Sequence, residues 1–315
     1  MSIIRDGIIG FAIGDAMGVP VEYEEREELI KNPITSMKGY GTHDVPEGTW
    51  SDDTSFVLAT MDSIIKCGDI SYNDIADKYC NWIRNGDYTA TGKIFDIDIT
   101  SKNALLKYAS SKDVSTCGQN GIKDNGNGSL SRMIPVAYYC FYNHLRSSEV
   151  YELVRGVSSI THSSSESILG CFIFVNYLLF ILNGKDKYAS YNMIKFLDYK
   201  EFFDEDTIEF YNRLLKTNIN NLRVDDLKSE SYIVYTLETI LWIILNCNSA
   251  AEAIVGAVNL GGDTDTIAAH VGAISGIIYG IEDIPSKWVH AMKNFDYLEG
   301  MIRKFEKTIV RWENM

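Results

Sequence analysis

The chain has 315 residues, 46% of them hydrophobic, and its 29 basic and 43 acidic side chains leave a formal net charge of −14. That apolar fraction suffices for a sizeable core, while the negative balance disfavours nucleic acid and anionic membrane surfaces as partners. Six scattered cysteines (67, 80, 117, 140, 171 and 247) form no CxxC pair and read as small core residues of a reducing compartment. No charged segment with a cleavage site opens the sequence, so the cytoplasm is the expected location.

Hydrophobic residues recur at helical spacing almost throughout. Ile3, Ile4, Ile8, Ile9 and Ala12 mark a first amphipathic helix behind Ser2. Phe56, Val57, Thr60, Met61, Ile64 and Ile65 mark a second, stopped by Gly68, and Ile75, Tyr79, Trp82 and Ile83 a third, ending at Gly86. The stretch 87–128, with Gly92, Gly118, Gly121 and Gly126, breaks this texture and is expected to be a long irregular segment of functional use. Further helices are expected over 129–145, 148–160, 165–182, 231–245, 250–258, 266–279 and 297–312, with peripheral helices in the charged, aromatic region 185–226. The apolar run 168–182 contains Asn176, is short for a bilayer span and suits a buried helix. Strand alternation, repeats and linkers are missing from the pattern. The expectation is an all-α orthogonal bundle of many helices, a single domain over 1–315 and a monomer.

Two acid-rich clusters stand out: Gly48-Thr49-Trp50-Ser51-Asp52-Asp53-Thr54 and Gly261-Gly262-Asp263-Thr264-Asp265-Thr266. Each puts two aspartates and adjacent hydroxyls just before or within a helix start. Asp and Ser serve well as helix caps, and acids suit a first turn, which accounts for one such cluster. Doubled acids at both ends of the chain go beyond capping. Like charges gathered this closely call for a cation, and hard oxygen donors with no His or Cys beside them suit Mg²⁺ or Mn²⁺ better than zinc. Two such turns meeting at the mouth of a bundle would hold two cations, activating a water and clamping substrate oxygens.

Three other stretches accompany the clusters. Gly10, Gly14 and Gly18 recur every four residues and place a small-residue face on the first helix, suited to close packing, with Asp15 able to turn towards a site and Glu22 on a loop beyond Pro20. The run from Gly118 to Arg132 is a Gly/Asn loop before a helix, which suits either a diphosphate held by backbone amides or an ordinary surface turn. Thr161-His162 stands at a helix junction among serines, where a histidine commonly caps.

Taken together, these motifs resemble those of the ADP-ribosylglycohydrolase superfamily. The resemblance runs through almost the whole chain in order: Gly14-Asp15-Ala16-Met17-Gly18 with Glu22, Trp50-Ser51-Asp52-Asp53-Thr54, Thr91-Gly92 with Phe95-Asp96-Ile97, Gly126-Asn127-Gly128-Ser129, Thr161-His162, and Gly261-Gly262-Asp263-Thr264-Asp265-Thr266. It implies an all-α enzyme whose two Mg²⁺ or Mn²⁺ ions assist cleavage of the glycosidic bond between ADP-ribose and an acceptor. By the same resemblance the metal ligands are Ser51, Asp52, Asp53, Asp263, Asp265 and Thr266, with Asp265 bridging. The catalytic groups are Glu22, Asp96 and Asp53. Gly126, Asn127, Gly128 and Ser129 form the diphosphate loop, and His162 contacts the adenosine end. The implied partner is an ADP-ribosylated protein, with arginine the favoured acceptor, or a small ADP-ribose conjugate. Two other functions fit the pattern: hydrolysis of another nucleotide-linked metabolite, and non-catalytic ADP-ribose binding. The sequence departs from the family in Ser51, where threonine is common, in Asp98, where glycine is common, and in lacking a proline after His162.

Overall fold

The computed structural model describes residues 2–310. Among them the regular structure is helical, and extended pairing is limited to two isolated bridges, Gln119 with His162 and Gly126 with Tyr232. The all-α expectation holds.

At the centre, the helix Ile3–Gly18 lies antiparallel along the helix Thr264–Tyr279. The small-residue face explains how close they come. A Cβ added to Gly14 would fall 1.9 Å from the Ala268 carbonyl oxygen, one on Gly10 would fall 2.2 Å from that of Gly272, and one on Gly18 would fall 2.4 Å from the Asp265 Cα. Gly272 and Gly276 return the fit from the other side. The register has a functional result: the C-terminal end of the first helix, and Glu22 just beyond it, arrive at the start of Thr264–Tyr279.

The helix Asp52–Cys67 begins on Ser51, whose hydroxyl accepts from the Asp53 N–H at 3.2 Å, and Tyr72–Asn85 begins on Ser71 in the same manner. Ser165–Leu182, with a mean hydropathy of 1.9, is apolar and long enough to cross a membrane, yet 78% of it is buried within the fold. It packs against Met133–Tyr142, Ser147–Ser158 and Ile233–Asn246 as a core helix. The region 185–226 carries the short peripheral helices expected of it, including Lys187–Lys195 and Asn212–Lys216.

Two expectations require correction. The stretch 87–128 is not irregular throughout, since Ile99–Ser111 is a helix of 13 residues. Its signals were present: Asp98 caps it by accepting from the Ser101 N–H at 2.7 Å, and Ala104, Leu105 and Tyr108 supply the buried face. The helix expected over 129–145 is only Met133–Tyr142, because residues 129–132 complete the preceding turn. The final helix runs Phe295–Ile309, and residues 311–312 of its expected span lie outside the described residues.

Candidate active site

The two acid clusters meet. Asp15, fully buried in the first helix, reaches the start of Asp52–Cys67 and accepts from the Ser51 N–H at 2.9 Å, the Thr54 N–H at 3.1 Å and the Thr54 hydroxyl at 2.5 Å. It therefore satisfies donors that the helix itself leaves open, and fixes the direction of the Asp52–Asp53 turn. At the other cluster, Gly261 and Gly262 have φ of 73° and 72°, a left-handed pair that glycine adopts readily. The turn is stitched to the segment after the first helix: Tyr23 N–H donates to the Gly262 carbonyl at 2.7 Å and Gly262 N–H to that of Glu24 at 3.0 Å. The Thr264 hydroxyl donates to the Gly18 carbonyl at 2.9 Å. One helix thus tethers both clusters.

Between them lies a cavity of about 280 Å³ lined by Glu22, Asp52, Asp53, Asp96, Asp98, Asn127, Gly128, Asp263 and Thr266, among others. Glu22, Asp263 and Asp265 each bring a carboxylate oxygen within 4.8 Å of the others, a group able to hold a cation. Asp53 accepts from the Ser131 hydroxyl, and Asp263 accepts from the Asn127 amide at 2.6 Å. The second oxygens of Asp53 and Asp265 are buried without a partner.

Burial is the chief reason these acids resist ionisation, and their mutual repulsion adds to it. Asp53 and Asp263 are pushed up to about 6, despite the hydrogen bonds from Ser131 and Asn127. Asp96 is likewise raised to about 6, against the pull of His43. Asp15 is raised to about 8 by burial and the nearby Asp53. Asp52 and Asp265 are raised well above the carboxylate range, by burial first and then by Asp96 and Asp53 for the one and by Glu22 and Asp96 for the other. Glu22 is raised by burial, and the hydrogen bond from His43 opposes the shift.

Of the diphosphate-loop candidates, Asn127 and Gly128 line the cavity. Gly126 pairs with Tyr232, and the Asn127 N–H donates to the Ser231 carbonyl at 2.9 Å. Ser129 is fully buried and turns inwards, its hydroxyl bonded to that of Ser158 at 3.0 Å. Arg132 lies wholly buried beneath, its guanidinium 4.8 Å from the Tyr79 ring centre and 5.2 Å from that of Phe56, and it donates to the Gly128 carbonyl at 2.9 Å. His162 is fully buried behind Gly126 and Gly128. Its Nδ1 bonds the Thr161 hydroxyl at 2.8 Å and its Nε2 lies 3.7 Å from Asp98. Burial lowers this imidazole to about 4, so it is neutral.

The model of one protein family, ADP-ribosylglycohydrolase, matches residues 2–314. The chain belongs to the ADP-ribosylglycohydrolase family. Membership makes it a hydrolase acting on glycosyl bonds. It is 31% identical to the ADP-ribosylarginine hydrolase Tri1 of Pseudomonas putida over 288 residues, covering 90% of this chain and 72% of the relative. It is 26% identical to the ADP-ribosyl-[dinitrogen reductase] glycohydrolase of Rhodospirillum rubrum, covering 89% and 87%. Among solved structures, an ADP-ribosylglycohydrolase-related protein complex superposes with a TM-score of 0.80 at 26% identity, over 99% of this chain and 98% of the other.

In this glycohydrolase Glu22, Asp52, Asp53, Asp96, Asn127, Gly128, Asp263 and Thr266 share the cavity wall. Asp265 is not on that wall, but its carboxylate lies within 4.8 Å of those of Asp263 and Glu22. The Ser51 hydroxyl accepts the capping bond on one lone pair and keeps a second for another partner, while His162 and the Ser129 side chain sit beneath the loop rather than in the cavity. Asp98 combines two positions, capping its helix and lining the cavity. Sequence reasoning passed over Ser131, which orients Asp53, and His43, whose Nε2 bonds the Glu22 carboxylate. A hydroxyl two residues past Asn-Gly-Ser carries no signature of its own, and nothing near His43 in sequence pairs it with Glu22.

Proposed function

We propose that this glycohydrolase releases ADP-ribose from arginine side chains of modified proteins, using two Mg²⁺ or Mn²⁺ ions held by Ser51, Asp52, Asp53, Asp263, Asp265 and Thr266. The observation that carries the metal assignment is the pair of partnerless carboxylate oxygens on Asp53 and Asp265, buried among acids that burial already holds from ionising. Buried carboxylates without donors are costly, and an all-oxygen donor set suits a hard divalent cation. Arginine as acceptor is supported by the relatives from Pseudomonas putida and Serratia proteamaculans, both ADP-ribosylarginine hydrolases.

When bound, the cations would orient the ribose hydroxyls and lower the pKa of a water beside the anomeric carbon. The chain supplies the rest. The turn of Gly126, Asn127, Gly128 and the Ser129 backbone holds the diphosphate, and Asn127 also keeps Asp263 in place. As the bond from C1″ to the guanidine nitrogen breaks, the sugar gains oxocarbenium character, which the surrounding carboxylates stabilise. Water oxygen bonds to C1″, one of its protons passes to a carboxylate, and the leaving nitrogen takes a proton from the site. Glu22 and Asp96, both on the cavity wall and both raised by burial, are the pair for these transfers.

The test is hydrolysis of ADP-ribosyl-arginine and ADP-ribosyl-serine peptides by chelator-treated protein, before and after addition of Mg²⁺ or Mn²⁺. Metal-dependent release from arginine is expected, with the serine conjugate cleaved at least about tenfold more slowly. Equal activity with and without metal would remove the metal assignment, and preference for serine would remove the acceptor assignment.

A further inference from the structure

The segment after the first helix is gripped by a short turn that the function above does not use. Residues Gly41–His43 form one helical turn packed on Val19–Val21. The contact is intimate: a Cβ on Gly41 would fall 1.9 Å from the Pro20 carbonyl oxygen. The turn's flanks are strained, with Tyr40 at φ 66° and Asp44 at φ 49°. Non-glycine residues in this region carry a conformational cost that surrounding structure must enforce, and such cost gathers at functional sites.

The turn places two side chains on one target. The Thr42 hydroxyl donates to the Glu22 carbonyl at 2.8 Å, and the His43 Nε2 bonds the Glu22 carboxylate. On its other side the His43 ring packs against Phe95, with centroids 5.0 Å apart. Phe95 directly precedes Asp96, itself at φ 53°. His43, Glu22 and Asp96 bring one ligand atom each within 4.8 Å of one another. His43 does not line the cavity, but it touches both loops that carry the proposed proton-transfer carboxylates.

We propose that His43 is a positioning residue that locks the Glu22 carboxylate and the Phe95–Asp96 loop into one unit, so that the two carboxylates face the scissile bond at fixed separation. The Glu22 loop is otherwise tied through its backbone, to Gly262 and Thr42. The imidazole bonds the Glu22 carboxylate from the side of the Phe95–Asp96 loop, and Tyr23, on the Glu22 loop itself, is another side-chain neighbour of that carboxylate. Without the imidazole the carboxylate loses the contact that ties it to the Phe95–Asp96 loop. This inference rests on the glycohydrolase reading above.

The experiment compares wild type, His43→Ala and His43→Gln on ADP-ribosyl-arginine with saturating Mn²⁺, alongside crystal structures of wild type and His43→Ala. In His43→Ala, kcat is expected to fall about 10- to 100-fold while KM stays within about threefold, because misplacement of a reacting group costs rate rather than binding. Glutamine offers an amide donor at a similar reach and is expected to recover most of that loss, and free imidazole is expected to recover part of it in His43→Ala. A His43→Ala enzyme with wild-type kcat, or an equal loss in both variants with no imidazole rescue, overturns the proposal. An inactive wild type would instead count against the arginine-hydrolase reading. The crystal structures then judge His43 independently: a Glu22 carboxylate displaced in His43→Ala supports the lock, and one left in its wild-type position overturns it.

Discussion

Asp15 shows how one buried side chain can govern a site it does not line. It accepts three hydrogen bonds from Ser51 and Thr54, so Asp15→Ala strands three buried donors, each costing about 1–3 kcal/mol, partly offset by removal of a buried acid. We expect a lowered melting temperature together with weakened Mn²⁺ binding by calorimetry, and a smaller loss for Asp15→Asn, which keeps one acceptor oxygen. Undiminished Mn²⁺ affinity in Asp15→Ala would show that the Asp52–Asp53 turn holds its direction unaided. Asp265 predicts the opposite sign. Its folded pKa is raised, so its favourable contribution is present at low pH and lost as it ionises. Asp265→Asn should therefore abolish turnover yet melt higher than the wild type in metal-free buffer near pH 8, and a lower melting temperature there would contradict the charge argument. Asp15 was legible as an acid beside a glycine face that could turn towards a site. Its partners were not, because they lie 36 and 39 residues away and are reached only through the tertiary fold.

At the level of elements, the glycine face of Ile3–Gly18 was readable from its four-residue spacing alone. That spacing needs nothing but helical geometry, and the close approach to Thr264–Tyr279 follows from it. Gly14→Ala drives a Cβ to 1.9 Å from a backbone carbonyl that cannot yield cheaply, so the helices must separate. An overpacking cost of about 1–3 kcal/mol or more is expected, with activity lost beyond what the melting temperature explains, since Glu22 moves with its helix. Gly300 is the comparison: it lies inside Phe295–Ile309 with nothing within 4 Å of its would-be Cβ. Gly300→Ala should raise stability by about 0.5–1 kcal/mol and leave turnover unchanged, as chemical denaturation and steady-state rates would report. The helix Ile99–Ser111 was missed for a physical reason. Glycines on both sides of it suggested a continuous loop, and its buried face amounts to a few residues, Ala104, Leu105 and Tyr108 among them. The acid clusters were legible because capping chemistry and charge repulsion both act locally. Their meeting point and the part played by His43 depend on packing between distant segments.

For the molecule as a whole, the raised carboxylates link stability, pH and metal. Asp53, Asp96 and Asp263 are held at about 6 against 3.8 for an ordinary aspartate. In metal-free protein their stabilising effect is complete below the unfolded value and disappears as pH rises through about 6. A bound divalent cation reverses that loss, so the gap in melting temperature between metal-loaded and metal-free protein should widen from about pH 5 to about pH 8. Calorimetry near pH 6 should also detect proton release on binding, seen as a dependence of the heat on buffer ionisation. A constant gap and no released protons would mean that the cation does not meet these acids. The antiparallel docking of Ile3–Gly18 on Thr264–Tyr279 also sets a timetable for biosynthesis. Ile4, Ile8 and Phe11 leave the ribosome long before the helix they pack on most extensively has been translated. Until then they are open to chaperones, and Asp263 and Asp265 do not yet exist. The enzyme is thus silent as a nascent chain, and gains its hydrolytic centre only when synthesis is nearly done.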